Sequence, residues 1–135
     1  MSKRIKLIVL QVALPLVVGL MIYTTLRAQP PFSQFIPWDT PVFMLNFLPR
    51  FLYVFIVFRL PGMLWTFSFI SATDAILKNS LLSASIVLSI FISYEYLQYE
   101  GVIRGTGDVG DIFYSLITVI LYIIIFGGKR NEKKP

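Results

Sequence analysis

Apolar residues dominate four stretches of the chain, and each stretch is close to the twenty or so residues needed to cross a bilayer as a helix. The first covers residues 5–26, behind a basic start of Lys3, Arg4 and Lys6. No small-residue cleavage pattern follows it, so it is expected to remain as a membrane helix rather than to act as a removable leader. Gln11 and Pro15 interrupt its apolar surface. Pro15 predicts a kink, because proline lacks the backbone donor and clashes with the preceding turn. Residues 27–41 contain Pro30, Pro31, Pro37 and Pro41, and they mix polar side chains with Phe32, Phe35 and Trp38. That mixture suits a connection at the membrane–water interface.

The second stretch admits two registers. A span over 42–60 contains Asn46, Pro49 and Arg50, whereas a span over 51–70 places Arg59 and Pro61-Gly62 near its middle. A charge at the bilayer centre costs about 2.5–3.5 kcal/mol on insertion scales. The first register is therefore preferred: Arg59 snorkels at the inner edge, and residues 62–77 form a connector along the interface. The third stretch, 80–98, opens at Asn79 or Ser80. The fourth, 111–126, opens at Asp108 as N-cap with Asp111 three residues on as its reciprocal partner, and Gly127-Gly128 stops it.

The predicted fold is an all-α membrane protein: a single four-helix transmembrane domain over residues 1–128, spans near 5–26, 42–60, 80–98 and 111–126, and a basic tail over 129–135. Lysine and arginine beside spanning helices favour the cytoplasm. Both ends of the chain are basic, which places both termini inside and the loops 27–41 and 99–107 outside.

Composition agrees with this class. The 135 residues are 56% hydrophobic and 14% charged, against about a quarter charged in soluble domains, and mean hydropathy is +0.76. Without cysteine or histidine, thiol chemistry and the commonest general base and metal ligand are excluded. The net charge of +5 resides beside apolar runs at the two ends, which points to anionic headgroups rather than nucleic acid.

Four of the seven acidic residues fall between Glu95 and Asp111. Glu95 and Gln98 share a helix face, as do Asp111 and Ser115, and the short loop between their helices makes them antiparallel neighbours. With Asn46 and Arg50 entering from the same side and Arg104 in the loop, the candidate ligand-binding set is Asn46, Arg50, Glu95, Gln98, Arg104, Asp108 and Asp111. Ionisable residues at membrane depth are costly and invite a functional hypothesis. Simpler roles are open beside it: Asp108 as a cap, and Glu95 as the partner of Arg104 or Arg50. No calcium loop, phosphate-cradling loop or nucleophile elbow is present, and no cofactor or metal is called for.

The stretch Glu95-Tyr-Leu-Gln98, a short loop with Arg104, then Gly105-Thr106-Gly107-Asp108-Val-Gly-Asp111 opening the last helix resembles the VanZ-like family of small bacterial membrane proteins. Asn46-Phe47-Leu48-Pro49 adds to the resemblance. It departs from the family pattern at Asn46, where a histidine often stands, and over Ser115–Val119, which lacks an early glycine. The resemblance implies a four-helix protein of the bacterial inner membrane with an outward polar site, in a family named for a protein linked to glycopeptide (teicoplanin) resistance. Three functions fit the residues. One is an outward pocket for an anionic lipid or a lipid-linked envelope precursor. Another is an accessory subunit of a larger membrane complex, covered along its aromatic faces. The third is a membrane enzyme using Glu95 and Asp111 as an acid–base pair.

Overall fold

The computed structural model describes residues 6, 8–26, 47–103 and 107–127. Four helices among them are long and apolar enough to cross a membrane: α1 (Val9–Leu26), α2 (Arg50–Leu77), α3 (Ser80–Tyr99) and α4 (Val109–Gly127). The chain is thus all-α across the described residues.

Residues 62–77 are not a connector. They are the second half of α2, which runs unbroken from Arg50 through Pro61 and Gly62 to Leu77. The reason is local. Proline has no N–H and its ring crowds the carbonyl four residues back. Here the turn before Pro61 is widened to a π turn over Phe55–Arg59, closed by the Leu60 N–H on the Phe55 carbonyl five residues earlier. The same device precedes Pro15 in α1, where a π turn over Val9–Ala13 is closed by Leu14 on Val9. In both helices the proline lies two residues beyond the π turn and is itself buried. Ser68 of α2 donates to the Val12 carbonyl in the α1 turn at 2.6 Å.

α2 is the hub of the bundle and packs against α1, α3 and α4. Lys78 and Asn79 alone join α2 to α3. Lys78 takes the left-handed conformation that ends α2, and the Asn79 side chain caps α3 through the Leu82 N–H. α1 lies antiparallel to α2, with Trp65 stacked on Tyr23 at 5.0 Å and pressed against Gly19, where a Cβ would come within 2.5 Å of the indole nitrogen. The apolar core, Ile70, Ala84, Val87, Val119 and Tyr122, sits among α2, α3 and α4.

α2 and α4 run parallel and meet through polar rungs. Arg59 reaches Asp108 and Asp111, the Thr66 and Ser115 hydroxyls share a hydrogen bond of 3.1 Å, and Tyr122 donates to Asp74 at 3.0 Å. On α4 and its cap the rungs fall at 108, 115 and 122, and on α2 at 59, 66 and 74, so that each helix carries them about two turns apart. In lipid there is no hydrophobic drive to join helices, so packing and such hydrogen bonds carry the association.

The 28 residues of α2 span about 42 Å at 1.5 Å per residue, roughly 12 Å more than α3. The excess lies at its start: Arg50–Val54 extends past the end of α3 and the start of α4, leaving Phe51 largely exposed.

Candidate functional site

The acidic cluster is assembled at the end of the bundle where α2 begins, α3 ends and α4 begins. Asp108 is the N-cap of α4 in extended conformation, and its Oδ1 accepts from the Gly110 N–H at 2.7 Å. Its own N–H, which the expected capping box assigns to Asp111, is instead taken by Glu95 Oε2 of α3 at 3.0 Å. Glu95 therefore closes the cap from a neighbouring helix and is 9% exposed. Asp111 is freed to face α2.

The partner of both aspartates is Arg59. Its Nη1 lies 2.7 Å from Asp108 Oδ2 and 2.8 Å from Asp111 Oδ1. This corrects the sequence expectation that Arg59 lies at the end of its span away from the acidic cluster; Arg104, one of the two partners expected for Glu95, lies outside the described residues. With Pro61 absorbed by the π turn, Arg59 lies at the level of the α4 cap rather than at the opposite end of a shorter span. Its guanidinium carbon is 5.9 Å from the Tyr114 ring centroid, within cation–π range. Gly110 makes room for the contact: a Cβ there would fall 2.7 Å from the guanidinium carbon. Gly107 has a similar part toward α3, since a Cβ would sit 2.6 Å from the Glu95 carbonyl oxygen and the Tyr99 nitrogen.

Chain comparison adds no relative. No family model, curated protein or solved structure matches this chain. The site therefore has to be understood from its own geometry, in a small multi-pass membrane protein.

Of the sequence candidates, Glu95, Asp108 and Asp111 come together. Gln98 lies one turn beyond Glu95, half-buried. Arg50 is exposed on the projecting start of α2, nine residues or about 13 Å along the helix from Arg59. Asn46 and Arg104 lie outside the described residues. Arg59 is the residue the sequence reading misplaced. No group of three metal-ligating side chains among the described residues is disposed to hold a metal ion.

The charge balance is uneven. Two carboxylates pair with one guanidinium, and a third, Glu95, binds the cap behind them. Burial raises the Asp108 carboxyl, but the Gly110 N–H and the Arg59 guanidinium outweigh it, and its pKa lies below the usual carboxylate value. Arg59 is not saturated. A guanidinium carries five N–H donors, and the two on Nη1 account for both ion pairs. The three on Nε and Nη2 make no hydrogen bond to the described residues, and the side chain as a whole is 20% exposed. An open groove of about 700 Å³ is lined by Arg59 together with Arg50, Phe51, Val54, Phe55 and Tyr114.

Proposed function

We propose that this chain is a VanZ-like integral membrane protein of the bacterial envelope, with the Arg59 end outward, which binds a polar or anionic envelope ligand at that end. The observation that carries the reading is the unused edge of Arg59 beside the groove that Arg50 also lines. Asp108 and Asp111 hold Arg59 in place by Nη1 alone, so it is oriented without being used up. The carboxylates outnumber Arg59, so the anionic part of a ligand belongs on the Arg50 side, with the loop Arg104 a further candidate contact. The basic ends of the chain support an outward Arg59 end through the bias of lysine and arginine toward the cytoplasm.

The test compares wild type with Glu95→Gln and Arg104→Ala at equal expression, reading glycopeptide susceptibility in a bacterium lacking the chain. Wild type is expected to lower susceptibility and both variants to lose most of that effect. If they protect as well as wild type, this reading is wrong. Because the chain has no cysteine, orientation is read separately from Val102→Cys and Lys78→Cys. A membrane-impermeant maleimide should label the first in intact cells and spare the second.

A further inference from the structure

The groove at the projecting start of α2 has two unlike walls. One is apolar: Phe51, Val54 and Phe55, with Phe51 71% exposed. The other is a set of donors. Arg50 is exposed and makes no hydrogen bond or ion pair with the described residues. Arg59 offers the three N–H donors left after its ion pairs. The two arginines differ electrostatically. The charge of Arg59 is offset by Asp108 and Asp111 at 2.7 and 2.8 Å, so what remains to it is hydrogen-bond donation. Arg50 has no carboxylate partner among the described residues.

We propose that this groove is a specific site for one lipid bearing a phosphate. The phosphate sits on Arg50, neutral ester or hydroxyl oxygens of the headgroup accept from the free edge of Arg59, and a hydrocarbon chain covers Phe51, Val54 and Phe55. The inference rests on the envelope-ligand reading above and names the chemical class of ligand. The charge pattern supports it: a phosphate is drawn to the Arg50 guanidinium, which pairs with no described carboxylate, and kept off the carboxylate-rich side, where like charges repel. The apolar wall is what a free phosphate ion would leave uncovered, whereas a lipid tail covers it at a favourable cost per area.

The test is native mass spectrometry of the full chain in mild detergent, titrated with phosphatidylglycerol and, separately, with inorganic phosphate. One phosphatidylglycerol is expected to bind per chain and to saturate. Arg50→Gln should weaken it about tenfold, the scale of one charge-assisted contact, and Arg50→Lys less. Phe55→Ser should weaken the lipid as well, and inorganic phosphate should not compete at equal concentration. Arg50 is exposed, and an unchanged melting temperature for its variants confirms that they fold. Unsaturable lipid adducts indifferent to Arg50 would overturn the proposal, as would inorganic phosphate displacing the lipid mole for mole. Either result with the glycopeptide phenotype still dependent on Glu95 and Arg104 would discard the ligand class and keep the envelope role. Loss of the phenotype test with intact lipid binding would do the reverse.

Discussion

At the Arg59 end of the α2–α4 contact, aspartates on α4 and its cap meet a guanidinium across a half-open surface, whereas at the Asp74 end an aspartate on α2 meets neutral hydroxyls in the interior. The side chains of Asp108 and Asp111 are 44% and 34% exposed. Asp74 is 6% exposed, and its Oδ2 accepts from Ser80 of α3 and Tyr122 of α4, each at 3.0 Å. One carboxylate oxygen thus ties three helices together where a two-residue turn already holds α2 against α3. The connections at the other end are longer, α2 projects beyond its neighbours, and a guanidinium edge is left without a partner among the described residues. Buried and held by hydroxyls of two neighbouring helices, Asp74 reads as a clasp. The Arg59 cluster has surplus carboxylate and surplus donors, which a clasp does not need.

The strongest way to break this comparison is Asp74→Ala. It removes the acceptor of two buried hydroxyls, and each unsatisfied group costs about 1–3 kcal/mol. The expected loss is about 2–3 kcal/mol in thermal unfolding in detergent, with Asp74→Asn, which keeps an acceptor, losing less. A melting temperature unmoved by Asp74→Ala would remove the contrast between the ends.

A smaller effect is expected from acid. The Asp108 carboxyl titrates below its unfolded value of about 3.9, so its contacts stabilise the fold above that range. The contribution is lost as pH falls through the lowered value. With Asp108 partly exposed it amounts to less than about 1 kcal/mol. Unfolding followed from pH 7 to pH 3 should show a shallower acid decline for Asp108→Asn than for wild type. Matching declines would mean that the ion pair adds nothing to the fold.

The smallest effect should come from the middle rung. Thr66→Val removes the hydroxyl bonded to Ser115, and such bonds in membrane bundles average about 0.6 kcal/mol. A cost above that of Asp74→Ala would move the clasp from the end of the bundle to its centre.

Much of this arrangement can be read from residue pattern alone. The four apolar stretches, the caps at Asn79 and Asp108, and the meeting of Glu95 with the start of α4 follow from hydropathy and short-range spacing. The face Asp108, Asp111, Ser115, Thr118 and Tyr122 also advances in steps of three and four, a polar stripe visible without a structure. Its partner on α2 is not visible, because a parallel contact between helices some fifty residues apart leaves no local mark. The placement of Arg59 failed for another reason. Pro61-Gly62 has the composition of a break, and whether a proline ends a helix or is absorbed by a widened turn depends on what packs around it. Here Pro61 is buried, and the turn before it is closed by the Leu60 N–H on the Phe55 carbonyl five residues back.

The π turn before Pro61 also sets a phase. A π turn takes one more residue than an α turn, so everything before it on α2 is advanced by roughly 100° about the helix axis relative to an uninterrupted α-helix. Arg50, Phe51 and Val54 face where they do because of a proline about two to three helical turns further on. Replacing Pro61 by a residue with an N–H would let the ladder close by the ordinary step, turning the apolar wall of the groove away from Tyr114 while leaving the half of α2 beyond it in register with Ser115 and Tyr122. The composition of the groove is thus written partly in a residue that does not line it.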